Sequence, residues 1–206
     1  MTEASKIDLY KKHKDQYVEA KKPVLVDVTR ASYLAIDGRG APGGETFSGR
    51  VGALYAVAYT LKMTRKFGGQ QDYGICKLEA LWWLDGERSD WASVPQDQWN
   101  WTLMIRTPDF VSRQELDKAA EVLLDKGKEP EVRQVRLESL AEGRCVQMLH
   151  LGPYDEVART VSALCQFARD QGLAFSGRHH EIYLSDPRRV SPERLKTIVR
   201  EPVTKV

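Results

Sequence analysis

His180-Glu181-Ile182-Tyr183-Leu184 and Leu78-Glu79-Ala80-Leu81-Trp82 decide the fold, because each is an extended apolar run with a glutamate at its second position. Their closing strands also correspond: Ile105-Arg106-Thr107-Pro108 matches Val199-Arg200-Glu201-Pro202. Two matched anchors in the same order mark an internal duplication, carried by pattern more than by identity.

Working outward from these anchors gives the unit that is repeated. In the first copy, Val24-Leu25-Val26-Asp27-Val28 and Ser32-Tyr33-Leu34-Ala35-Ile36 read as extended strands, followed by the glycine-rich segment 38–44. Val51, Leu54, Tyr55, Ala58 and Leu61 then recur at helical spacing from about Ser48 to Phe67, and Gly68-Gly69 ends the helix. Strands at 78–84 and 99–105 follow, joined by a polar loop containing Trp91 and Pro95. Ser112 with Glu115 three residues on is a capping box for a connecting helix to about Leu124. The second copy reads as strands near 132–137 and 144–151, a helix from Asp155 to about Asp170, and strands 181–184 and 196–203. The expected organisation is a polar arm over 1–22, then one domain over 23–206: first repeat about 24–110, connecting helix about 112–126, second repeat about 131–204. The expected fold class is α+β, a pseudo-twofold pair of strand-helix-strand-strand units. Antiparallel sheets carry helices on one face, with a ligand cleft between the halves.

Composition narrows the function. Lys and Arg number 31 against 29 Asp and Glu, a net charge of only +2, so no basic face for nucleic acid or an anionic membrane is indicated. The first 22 residues are too short for a helix-turn-helix with its supporting helix. No run approaches the roughly 18 apolar residues of a membrane span, and the N-terminus lacks the apolar core of a signal peptide. Cys76, Cys145 and Cys165 are widely spaced and odd in number, which suits a reducing cytoplasm and suggests neither disulfides nor zinc. His13, His150, His179 and His180 lack metal-ligand spacing. No cofactor motif is present, since the glycine-rich segment is not a phosphate-binding GxxxxGK[ST] loop.

Strand alternation places Glu181 with Tyr183 on one face and Ile182 with Leu184 on the other. In the first copy Glu79 shares its face with Leu81 and Trp83, whereas Trp82 points with Ala80 and Leu84. With helices on one face of each half, the expectation is that the opposite faces carry Glu79, Trp83, Glu181 and Tyr183 into a cleft. His150-Leu151-Gly152-Pro153-Tyr154-Asp155 is a tight strand-to-helix turn that aims Tyr154 beside the sheet. The candidate ligand-binding residues are Tyr55, Trp82, Trp83, Trp101, His150, Tyr154, Glu181 and Tyr183. Aromatic faces and a semi-buried carboxylate suit a lipophilic aromatic or cationic molecule. The plainer reading of the same residues stays open: a strand carboxylate paired with a neighbouring cation, and tryptophans packed in the core.

At Leu78–Trp83, His150–Asp155 and Glu181-Ile182-Tyr183-Leu184-Ser185-Asp186-Pro187, the sequence resembles the GyrI-like family from about residue 24 onward. The family is similar to the effector domains of multidrug-sensing regulators. The resemblance implies a small-molecule pocket in which Glu181, with Glu79 as its repeat partner, faces lipophilic cations. It implies as an alternative a hydrolase opening the strained cyclopropane of DNA-alkylating natural products, with Glu181 or Glu79 activating water and Tyr154 or Tyr183 bonding the developing oxyanion. A gyrase-modulating or other protein-interaction module is the third reading. The oligomeric state is not legible.

Overall fold

Gly38 and Trp101 show how closely the first sheet is packed. The computed structural model describes residues 6–86 and 93–206, so Trp91 lies outside the described residues. Those residues form helices α1 (Leu9–Lys12), α2 (Glu45–Phe67), α3 (Arg113–Asp125) and α4 (Val157–Asp170). The strands are β1 (Val24–Val28), β2 (Ala31–Arg39), β3 (Leu78–Trp83), β4 (Asn100–Thr107), β5 (Arg136–Leu140), β6 (Gly143–Leu151), β7 (Leu173–Phe175), β8 (His179–Tyr183) and β9 (Lys196–Lys205). The mixed α+β class with antiparallel strand pairing is the expected one. The chain divides into two compact units. The first takes the described residues of Met1–Lys12, Ala31–Cys76 and Trp82–Leu140; the second takes His13–Arg30, Lys77–Leu81 and Ala141–Val206.

In the first unit β2 is central, antiparallel to β4 on one side and β5 on the other. Gly38 stands directly opposite Trp101 in that register. The buried indole of Trp101 occupies the space over the glycine, and a Cβ there would lie 2.0 Å from the ring. Trp101 Nε1 donates to the Gly40 carbonyl at 3.1 Å, so the ring is anchored at both its apolar and polar ends. Phe47, from α2, meets Trp101 edge-on at 5.1 Å and stacks on Trp82 at 5.8 Å, and Trp82 meets Trp99 edge-on at 6.1 Å. Gly38→Ala is expected to cost about 1–3 kcal/mol, because the ring must leave its site. Urea unfolding followed by tryptophan fluorescence measures it, and an unchanged midpoint would contradict this packing.

Local chemistry sets the helix ends. Ser112 Oγ accepts from the Glu115 amide at 3.3 Å, and Glu115 Oε2 accepts from the Ser112 amide at 2.8 Å, the expected reciprocal cap of α3. Helix α2 begins three residues earlier than its apolar spacing indicates, at Glu45. The strand expected near 132–137 is instead a 3₁₀ turn over Pro130–Gln134 followed by β5. Pro130 sits in the first turn of that 3₁₀ segment, where its missing amide costs nothing.

In the second unit the order is β1-β6-β9-β8, all antiparallel, with β7 also on β9 and the start of β3 beside β8. One sheet face packs on α4 through Val146, Val199, Val157, Leu164 and Ala168. On the opposite face Val18 packs against Val26, Val28 and Cys145. The stretch read as a polar arm therefore contributes packed residues: Gln16 and Tyr17 are each 3% exposed. The strand before the long helix is antiparallel to the closing strand in each unit, β2 with β4 and β6 with β9. Among the described residues no helix is long and apolar enough to cross a membrane.

Candidate functional site

Strand β8 presents two adjacent histidines to opposite sides of the second unit's sheet, and each ring lies between two carboxylates. Residues opposite one another in an antiparallel register share a face, so Glu181 lies with Val199 and Tyr183 with Thr197, while His180 lies with Arg200. Val199 belongs to the core under α4. The face bearing His179, Glu181 and Tyr183 is thus the helix-covered one, whereas alternation alone had assigned Glu181 and Tyr183 to the opposite face. The physical reason is that residues from the 13–22 stretch pack on that opposite face, Val18 against Val26, Val28 and Cys145, Tyr17 on Glu79 and the Gln16 carbonyl on Arg200, so that face is covered as well.

On the α4 face, Tyr183 Oη donates to Glu181 Oε2 at 2.7 Å, and His179 Nε2 lies 3.0 Å from Glu181 Oε1. His179 Nδ1 bonds Glu201 Oε1 on β9. The three ionisable side chains are 15%, 12% and 5% exposed for His179, Glu181 and Glu201, dry enough to strengthen their pairing. Burial by itself disfavours charge on His179, but the hydrogen bonds and charges of Glu181 and Glu201 outweigh it and raise its pKa to about 10. Burial likewise opposes ionisation of Glu181, and His179 together with Tyr183 overcomes it, holding the carboxyl below its ordinary range. Tyr154, in the turn after β6, meets Tyr183 edge-on at 5.6 Å and is 38% exposed. Burial and the negative charges of Glu181 and Asp186 push its phenol up to about 12, so it keeps its proton as a donor at neutral pH.

His150 braces this turn. Its Nε2 lies 3.0 Å from the Pro153 carbonyl, which only accepts, so Nε2 carries a proton; its Nδ1 lies 2.8 Å from Thr160 Oγ1 on α4. Gly152, at φ 133°, folds the chain so that Pro153 returns to the ring.

Glu79 lies on the other face and is fully buried. Tyr17 Oη donates to its Oε1 at 2.8 Å, and His180 Nε2 stands 3.1 Å from its Oε2, an ion-pair contact whose angles fall short of a hydrogen bond. His180 Nδ1 bonds Glu142 Oε1 at 2.9 Å, and Arg200 Nη1 donates to Glu142 Oε2 at 2.8 Å. Burial would lower the His180 pKa, but Glu142 and then Glu79 raise it to about 9. Burial would raise Glu142, but His180 and Arg200 hold it at about 2. Glu79 and Glu181 are therefore not two walls of one cavity: Glu79 meets His180, whose side chain points away from Glu181 through the sheet.

The remaining candidates lie in the first unit. Trp82 and Trp101 belong to the packed aromatic cluster, Trp83 is half-buried at the end of β3, and Tyr55 is half-buried on α2, 6.2 Å from Tyr59. A surface cavity of about 310 Å³ between α2 and α3, lined by Leu61, Arg65, Glu115, Ala119 and Val122, contains none of the candidate residues. Sequence reasoning missed His179 and Glu201 as partners of Glu181. The i, i+2 spacing of His179, Glu181 and Tyr183 was a usable signal, whereas the pairing with Glu201 depends on the β8–β9 register. Among the described residues no group of three or more His, Cys, Asp or Glu is placed to hold a metal ion.

Comparison with known proteins gives this geometry its context. The model of the GyrI-like small molecule binding domain matches residues 102–203. An uncharacterised conserved protein from Listeria innocua is 40% identical, with 97% of this chain and 100% of that one covered and a TM-score of 0.89. A hydrolase from Listeria innocua is also 40% identical over 97% and 100% of the two chains, with a TM-score of 0.85. The EcmrR C-terminal domain, 13% identical over 90% of this chain and 98% of that one, shares the fold with a TM-score of 0.58. No curated protein matches. With the family model placed on the segment that holds Glu181, Tyr154 and His150, and with relatives this similar over nearly their whole length, the chain belongs to the GyrI-like small-molecule-binding domain family.

Proposed function

We propose that this protein is a small-molecule hydrolase in which Glu181 is the general base and Tyr154 the hydrogen-bond donor to the developing oxyanion. The observation that carries the reading is a largely buried carboxylate kept ionised by His179 and Tyr183, with a neutral phenol beside it. Held below its ordinary pKa, such a carboxylate is ionised throughout the neutral range, and its contribution as a base comes from its fixed position against water rather than from raised basicity. Support comes from the hydrolase with which the chain shares 40% identity.

The family resemblance suggests a lipophilic substrate carrying a strained cyclopropane conjugated to a carbonyl. Glu181 would take a proton from water as the water oxygen bonds to a ring carbon. The ring carbon–carbon bond breaks, its electron pair moves through the conjugated system to the carbonyl oxygen, and the Tyr154 hydroxyl stabilises that oxygen. The oxyanion, or the carbon conjugated to it, is then protonated from solvent and Glu181 gives up the proton it took, so the base is regenerated and the net change is addition of one water. Glu79 is assigned no step, because its carboxylate is fully buried with Tyr17 and His180.

The test is turnover of a cyclopropane-bearing aromatic ketone followed by mass spectrometry, scored as product heavier by one water. Tyr154→Phe is expected to lower turnover by about 10²–10³-fold while leaving substrate affinity within a few-fold. Unchanged turnover would remove Tyr154 from the mechanism. A second reading, binding of lipophilic cations without chemistry, is favoured by the Tyr154–Tyr183 edge pair beside a cluster with two carboxylates and one imidazolium. Tight binding of a lipophilic cation by the wild type, with no product from any strained electrophile, would select it.

A further inference from the structure

His179 is bonded at both ring nitrogens to carboxylate oxygens, Nε2 to Glu181 and Nδ1 to Glu201. Ionised carboxylates only accept, so both bonds form together when each ring nitrogen carries a hydrogen, which makes the ring an imidazolium. The ring is held from two strands, since Glu181 is on β8 and Glu201 on β9. Tyr183 occupies the second oxygen of Glu181. The carboxylate is thereby fixed in rotation and its charge is balanced from one side.

We infer that His179, charged and oriented by Glu201, is a positioning residue for Glu181: it keeps that carboxylate ionised and presents it in a single orientation to the reacting water. The inference rests on the reading of Glu181 as the base. Glu201 would contact no substrate; it acts by holding the imidazolium. This differs from a carboxylate–histidine pair in which the histidine itself is the base, because here the ring has no unprotonated nitrogen to offer.

The charge balance has a pH consequence whose sign is definite. A carboxyl whose pKa is depressed is ionised above that pKa and loses its charge as pH falls through it. Removing the imidazolium removes the main stabilisation of the Glu181 charge, so the pKa rises and the acid limb of turnover moves to higher pH. The other groups that bear on Glu181 are Tyr183 on its own strand, His150 on β6, and Tyr154 in the turn after β6. Asp186 acts on Tyr154. None of these groups takes the place of the cation between Glu181 and Glu201.

The experiment is carried out on the full chain with three readouts. Nitrogen-15 spectra of the imidazoles in the ligand-free protein are expected to show both His179 nitrogens protonated at about pH 8, well above the ordinary histidine value near 6.5. A neutral tautomer at that pH would overturn the inference. Carbon-13 titration of the Glu181 carboxyl and the acid limb of kcat/KM are both expected to move upward by about one pH unit or more in His179→Gln, the size of effect that an opposite charge within about 4–6 Å produces. A titration midpoint unmoved in His179→Gln would also overturn it. Glu201→Gln is the second variant, in case the first folds poorly. In it, turnover is expected to fall as pH rises through the ordinary imidazole range, and a profile identical to wild type would count against the inference. The titrations need no substrate, so a protein with the expected midpoints but no turnover refutes the hydrolase reading alone.

Discussion

Arg200→Leu is expected to destabilise the protein by about 3–5 kcal/mol, the range for removing one partner of a buried ion pair. Arg200 is 1% exposed although it is charged, and each part of its guanidinium is used. Nη1 donates to Glu142, Nε donates to Gln147 Oε1 at 3.0 Å, and Nη2 donates to the Gln16 carbonyl. The plane also stands 5.7 Å from the Tyr17 ring. Leucine fills much of the volume and satisfies none of these acceptors, so Glu142 keeps only His180 and the Gln16 carbonyl loses its donor. An exposed pair such as Arg113–Asp117, whose side chains are 73% and 55% exposed, is worth only about 0.2–1 kcal/mol by comparison. Urea unfolding gives the loss directly. Limited proteolysis gives its location, since residues 13–22 are held on the sheet through Gln16, Tyr17 and the Gln147 amide bond to the Val18 carbonyl. A loss below about 1 kcal/mol, with no new cleavage in that stretch, would mean that the buried cluster does not retain the segment.

Glu181→Gln is expected to lower turnover of a strained electrophile by about 10²–10⁴-fold, the contribution of a positioned general base. The substitution preserves shape and one carbonyl acceptor for Tyr183, so the fold and the Tyr154–Tyr183 contact should persist. It removes the proton-accepting charge. Circular dichroism and a single-turnover assay on the same preparation separate the two outcomes, and turnover within a few-fold of wild type would exclude Glu181 as the base. Glu79→Gln serves as the contrast. Glu79 is fully buried on the opposite sheet face, so its substitution should register in stability before it registers in chemistry.

The elements that could be read from sequence are those whose causes are local. Strand β1 has the expected bounds because β-branched Val24, Val26 and Val28 alternate along it and Pro23 precedes it. Helix α3 was legible because Ser112 and Glu115 satisfy each other's backbone donors three residues apart. Strand β7 was not, since three residues give no periodicity and their extended form comes from pairing with β9. The candidate site divides in the same way. Glu181, Tyr183 and Tyr154 were visible as chemistry on a strand and a turn. The partner of their cluster comes from a contact remote in sequence, His179 with Glu201, and the opposite face is likewise built from remote contacts, Tyr17 with Glu79 and Glu142 with His180 and Arg200. The assignment of Glu181 to the wrong face has one cause, that a polar, lysine-rich N-terminal stretch gives no outward sign of covering a sheet.

The back-to-back histidines bear on how β8 finds its place during folding. A slip by one residue would carry His179 into the position of His180, exchanging one imidazole for another within reach of Glu79 and Glu142, so the ionic partners discriminate weakly between the two alignments. The next residues do discriminate. The same slip would drive Glu181 into the position of Ile182, which is fully buried opposite Ile198, where a carboxylate has no partner. The side chain proposed to activate water would then also act as the register key of its strand, penalising the misaligned sheet before any substrate is present.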